Sequence, residues 1–118
     1  MQSRLFKIDE KESDVQRQII ELLKRNKFLT IRFNSGAIQD GKRFVWFYRI
    51  CNNNRCSGLP DLAFMRNGKI YFCEVKATNG RLSDNQEKFI ELAKSYGIDV
   101  TVADSWEQVA DYIQTLEN

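Results

Sequence analysis

Histidine is absent from the 118 residues. Its absence removes Ser-His-Asp and Cys-His catalysis, histidine general bases and histidine-ligated zinc together. Any chemistry must therefore run on carboxylates and lysine, with or without an oxygen-preferring metal. Proline occurs once and glycine six times, too few for long linkers or low-complexity tracts. No internal repeat is visible. No run is apolar enough to span a membrane. The first residues, MQSRLFKIDEKE, hold no apolar core of the signal-peptide kind. The expected location is therefore the cytosol, or a host's cytosol if the gene is viral. Cysteine comes as an odd set, Cys51, Cys56 and Cys73, which is poor material for a disulfide framework.

What is present suits one ordinary globular domain over residues 1–118, large enough to bury a core without cross-links. Net charge is only +2, but it is unevenly spread. Between Lys24 and Arg55 stand eight basic residues and one acid, Asp40. From Asp99 to the end stand five acids and no lysine or arginine. A basic half suggests an anionic partner, of which nucleic acid is the commonest; the plain alternative is a solvated basic face.

Helical spacing of Val15, Ile19, Leu22 and Leu23 predicts a first helix over 12–27. Glu12 and Gln16 fall inside its apolar stripe, while Glu21 points away. A glutamate on a buried face needs a cationic partner, either a basic residue or a metal. Residues 28–34 read as a strand with Leu29, Ile31 and Phe33 alternating, 36–41 as a turn or loop, and 44–50 as a second strand. Residues 51–58 are polar and loop-like.

Two short apolar strands follow, 61–65 and 70–76, joined through Arg66-Asn67-Gly68-Lys69. Asn-Gly is the strongest short hairpin signal, because both central residues of a type I′ turn need positive φ. With Asn67 and Gly68 as the loop, Arg66 pairs with Lys69, and Asp61 lies opposite Glu74. Opposed side chains share a face with Cβ atoms about 5 Å apart. Period two puts Lys76 on that face too. Like charges opposite each other destabilise a sheet, so a divalent cation is the natural compensation. Ser83-Asp84-Asn85-Gln86 matches a capping box for a helix ending near Tyr96 and Gly97. Residues 98–103 read as a strand. Asp104 or Ser105 caps a last helix with Trp106, Val109, Ala110, Ile113 and Leu116 inside. The result is an α/β or α+β domain around a central mixed sheet flanked by helices.

Gly58-Leu59-Pro60-Asp61, twelve intervening residues and Glu74-Val75-Lys76 resemble the PD-(D/E)XK nuclease motif, and more narrowly the VRR-NUC family. Supporting matches are Glu12 with Gln16, Gly58, Gly80, Leu82-Ser83 and Gln86, so the resemblance spans about residues 12–103. It implies a restriction-endonuclease-like α-β-β-β-α-β core and phosphodiester hydrolysis dependent on Mg²⁺ or Mn²⁺. Stand-alone members resemble this chain in size, are often from phages and bacteria, and look like homodimeric endonucleases of branched DNA such as Holliday junctions. The metal ligands implied are Asp61, Glu74, the Val75 carbonyl and Glu12, the last directly or through water. Mg²⁺ suits such oxygens and keeps several waters. Lys76 would hold the attacking water or donate to the phosphate; a lysine acts as a base only when its surroundings lower its pKa. Gln86 would orient Lys76 or the water, although a capping box already accounts for it.

Rival readings stand beside these. Flap, nicking or RNA cleavage would use the same acids, and a shape-recognising nucleic-acid module would not cut at all. Asp61 as a turn residue and Glu74 with Lys76 as a surface pair form the structural alternative. Cys51 and Cys56 make a poor zinc half-site, because Cys73 is expected on the face opposite Glu74. Trp46-Phe47-Tyr48 fits core and strand surface better than base stacking. Lys42, Arg43, Arg49, Arg55 and Arg81 are candidate phosphate contacts, with Arg55 and Arg81 flanking the motif strands.

Overall fold

The computed structural model describes residues 11–33 and 58–116 in full, and the backbone of 37–40 and 43–46. Helix α1 (Glu12–Arg25) carries Val15, Ile19 and Leu23 on its buried side. It ends where Lys27 turns left-handed at φ 67°, and the Phe28 N–H returns to the Leu23 carbonyl at 3.0 Å. That is a helix-stopping turn with a lysine where glycine is usual. Phe28, read above as strand, is instead the buried residue closing this turn, 6% exposed.

Strand β1 (Leu29–Arg32) lies at one edge of a four-stranded sheet with β4 (Leu62–Arg66), β5 (Lys69–Val75) and β6 (Val100–Ala103), in the order β1-β4-β5-β6. The first three strands are antiparallel neighbours, and β6 runs parallel to β5. The sheet is therefore mixed, as expected. A parallel neighbour needs a crossover, which α2 (Asp84–Ser95) supplies. Strands β2 (Ala37–Asp40) and β3 (Arg43–Trp46) form a separate hairpin with Asp40 paired to Arg43. This corrects the reading of 36–41 as a loop: Ala-Ile-Gln-Asp pairs although it lacks a β-branched, apolar pattern. Helix α3 (Trp106–Leu116) closes the described chain. Among the described residues no helix is long and apolar enough to cross a membrane.

One face of the sheet takes the core. Leu62, Phe64, Cys73 and Val75 pack against Val15, Ile19 and Leu23 of α1 and Val109 and Ile113 of α3. Phe64 meets Phe28 edge-on at 5.2 Å and stacks on Tyr71 at 5.3 Å. Arg66 lies over the Phe28 ring at 4.1 Å and donates to the Asn26 carbonyl at 2.7 Å, so one cation covers both the ring and the end of α1. The other face carries Ala63, Phe72 and Glu74. It is partly covered by α2, whose Phe89 meets Phe72 edge-on at 5.6 Å. The alternation of Leu29 and Ile31 is real, but it points to this second face, where Leu29 is 63% exposed. Trp106, expected inside, is 42% exposed at the first turn of α3, while Val109 and Ile113 carry the packing.

Candidate active site

Asn67 and Gly68 sit at φ 55° and 78°, as the primed two-residue turn demands. Arg66 pairs with Lys69 and Leu62 with Cys73. One step beyond the last ladder pair, Asp61 meets Glu74. The Phe33 N–H holds the Asp61 carbonyl at 2.8 Å. The Asp61 side chain reaches across to accept from the Val75 N–H at 2.8 Å. Asp61 is thus held by both neighbouring strands. The Val75 amide is thus engaged by Asp61, which leaves its carbonyl, the expected metal ligand, a separate group.

Glu74 is 3% exposed. Its carboxyl is pushed up to about 9, first by burial, then by the Asp61 charge and by its own hydrogen bond to Asp61, with Lys76 opposing. At neutral pH, with no cation bound, burial and the Asp61 charge therefore favour the protonated form of Glu74. The Lys76 Nζ stands 3.7 Å from Glu74 Oε2 and is itself mostly buried. Glu12 comes next. Its pKa is raised, first by burial and then by the Asp61 charge, while Lys76 lowers it. Its side chain is nevertheless exposed, because it occupies the first turn of α1 at the margin of the packed stripe. This differs from the buried glutamate expected.

Gln86 joins the group from α2. Its Oε1 accepts from the Ser83 N–H at 2.8 Å, and its N–H donates to Ser83 Oγ at 3.2 Å, completing the capping box. Its remaining amide end donates to Glu74 Oε2 at 3.0 Å. The expectation for Gln86 was contact with Lys76 or a water, and the partner is the acid. The cap and the site fix the same amide, since the oxygen must face Ser83 and the nitrogen must then face Glu74.

Gly58 contributes by what it lacks. A Cβ there would lie 1.9 Å from the Asn85 carbonyl oxygen. The loop carrying Pro60 and Asp61 thus presses against the first turn of α2, beside Gln86. Sequence reasoning noted Gly58 as a motif match, without this contact.

The structure therefore brings together Asp61, Glu74, Lys76 and Gln86, with Glu12 close enough for its charge to be felt. Arg81 is exposed on the loop before α2. Lys42, Arg49, Arg55, Cys51, Cys56, Phe47 and Tyr48, and the side chains of Arg43 and Trp46, lie outside the described residues. Among the described residues no three acids or cysteines converge closely enough to hold a metal by themselves. The donors fit a cation that takes one or two carboxylates and keeps much of its water, which is the habit of Mg²⁺. The observation behind that fit is the buried Glu74 carboxyl set against Asp61, with Lys76 3.7 Å from Glu74.

Opposed acids at a hairpin, a lysine two residues on in the strand and a crossover helix bracing them form the arrangement that the resemblance to PD-(D/E)XK nucleases implies. The family model described as VRR-NUC domain matches residues 10–107, so the chain belongs to the VRR-NUC family. It is thereby a nuclease domain on a restriction-endonuclease-like α+β fold. No curated protein and no solved structure matches the chain.

Proposed function

We propose that this nuclease domain is a Mg²⁺- or Mn²⁺-dependent endonuclease of DNA, selective for branched structures such as Holliday junctions and active as a homodimer in a cytosol or a phage-infected host. The observation that carries the metal reading is buried Glu74 against half-buried Asp61, with Lys76 3.7 Å from Glu74. A hydrophobic core gains nothing from opposed acids, because their desolvation and repulsion cost stability.

Asp61, Glu74 and the Val75 carbonyl would hold the ion, with Glu12 reaching it directly or through water. Bound there, the ion supplies charge neutralisation at the phosphate and acidifies an attacking water. The protein's own groups do the positioning. Gln86 keeps Glu74 Oε2 aimed inward. The Val75 N–H holds one Asp61 oxygen. Lys76 donates to the scissile phosphate or holds the water in line with it. Lys42, Arg43, Arg55 and Arg81 contact the flanking backbone.

The homodimer has support in the part of this sheet face left exposed beyond α2 among the described residues. Leu29, Ile31 and Ile70 are 63%, 41% and 49% exposed on the face that also carries Glu74. A contiguous apolar surface of this kind favours a second copy.

Cleavage of a four-way junction, a flap, a linear duplex and an RNA duplex in Mg²⁺ and in Mn²⁺ tests the substrate. Preference for the junction is expected. Equal or better cutting of flap, linear or RNA substrates would replace the branched-DNA reading. Sedimentation showing monomer alone at micromolar concentration, with and without DNA, would remove the dimer.

A further inference from the structure

A groove of about 320 Å³ runs between α1 and the edge strand β1, lined by Ser13, Gln16, Arg17, Ile20, Glu21 and Arg32. Its position is set by the acid cluster. Ser13 follows Glu12 directly, and Gln16 lies one turn further along the helix. Arg32 pairs with Leu62 and precedes Phe33, whose N–H holds the Asp61 carbonyl at 2.8 Å. Arg32 shares the α1 face of the sheet with Leu62, so the groove lies on that face and starts at the sheet end that holds Asp61, where Glu12 feels the Asp61 and Lys76 charges.

Its charge is cationic. Arg17 and Arg32 face one acid, Glu21. Arg17 makes only a loose, exposed pair with Asp14 at 3.5 Å, and among the described residues Arg32 has no ion pair. A second groove shares Arg17 and Glu21 and continues to Arg25 and Trp106. Ser13, Arg17, Glu21 and Arg25 recur every fourth residue, so they form a ridge along α1 between the two grooves. Helix rise puts Arg17 about 7.5 Å and Arg25 about 20 Å beyond Glu12. At about 3.4 Å per base pair, those distances match the length of roughly two and six base pairs.

We infer that the α1–β1 groove carries the DNA strand flanking the scissile phosphate, with Arg32 and Arg17 holding its phosphates. The inference rests on the nuclease reading above and adds a backbone track to it. Planar guanidinium groups suit phosphate, and exposed arginines near a cut site position a strand without reading its sequence. Glu21 repels that strand, so its charge works against binding.

The test uses the full chain and a labelled junction, with binding followed by anisotropy in Ca²⁺ and cleavage followed in Mg²⁺. In R17A/R32A the slope of log K against log salt should fall by about 2, since each phosphate contact contributes about 0.9. KM should rise at least about tenfold. R17K/R32K should recover most of both, and Glu21→Gln should tighten binding a few-fold. Lys94→Ala, on the last turn of α2, serves as the control for charge alone. Unchanged slope and KM in R17A/R32A, with wild-type cleavage intact, overturn the groove and leave the nuclease reading standing. An equal fall in slope for Lys94→Ala shows diffuse attraction and also overturns it. A wild-type protein that does not cut nucleic acid overturns both.

Discussion

Gln86 donates its side-chain amide to Oε2 of Glu74 at 3.0 Å, across the boundary between helix α2 and strand β5. The same side chain accepts from Ser83 at 2.8 Å to cap α2. Local helix chemistry therefore orients an acid twelve residues away in sequence.

Substitution at Gln86 separates the two jobs. Glutamate also completes a capping box. Gln86→Glu should hold stability within about 1 kcal/mol, yet set a carboxylate against Glu74 and lower cleavage by about a hundredfold or more. Gln86→Ala loses the box as well and should cost about 1 kcal/mol. Urea midpoints beside cleavage rates check both. Near wild-type cleavage by Gln86→Glu would show that the contact to Glu74 is idle.

Glu74 makes metal-free stability depend on pH in a defined sense. Its carboxyl is pushed up to about 9 in the fold from an ordinary 4.5. Between those values the folded state binds a proton that the unfolded state has lost. Stability is thus fully present below about 4.5 and declines as pH rises towards 9, by at most about 1.4 kcal/mol per pH unit from this group. Urea melts in EDTA at pH 6, 7 and 8 should show the decline, and Glu74→Gln should flatten it. Saturating Mn²⁺ should restore stability most at high pH, because it binds the ionised acids.

The first turn of α2 leaves no room at Gly58. Gly58→Ala puts a methyl 1.9 Å from the Asn85 carbonyl oxygen, so the loop or the helix must move. The expected cost is about 1–3 kcal/mol in thermal or urea unfolding. Cleavage should fall further than stability explains, because the displacement falls beside Asp61 and Gln86. An unaltered melting temperature would contradict the packing described.

Cys73 is a core thiol, pushed up to about 12, first by burial and then by the charges of Asp61 and Glu74. In a C51S/C56S background a thiol reagent at pH 8 should label the native protein hardly at all and label it fully in urea. Rapid native labelling would place Cys73 at the surface.

How much of this could be read from the sequence depends on how local the cause was. Asn67-Gly68 determines its own turn, and a two-residue turn dictates the register. Asp61 opposite Glu74, Lys76 on the same face and Cys73 on the other were therefore legible. The Ser83–Gln86 cap was legible for the same reason. The contact from Gln86 to Glu74 was not, because it depends on how α2 lands after the Ala77–Leu82 loop. Alternation at Leu29 and Ile31 revealed a strand but not which face the helices would cover. Glu12 matched the apolar stripe by angle, yet it stands at the helix start, where the packed stripe has not begun. Strand β3 was legible in the run from Phe44, but its partner β2 escaped because Ala-Ile-Gln-Asp carries little strand pattern, although Asp40-Gly41 is itself a turn signal.

The central claim is that Asp61 and Glu74 act together on one divalent cation. Junction cleavage should be measured against Mg²⁺ and Mn²⁺ concentration for wild type, Asp61→Asn and Glu74→Gln, each checked for folding by circular dichroism. The account predicts no cutting in EDTA, saturable activation by the metal in wild type, and loss of at least about a thousandfold in both folded variants. Cutting that persists in EDTA, or a folded variant that keeps near wild-type rates, would contradict it.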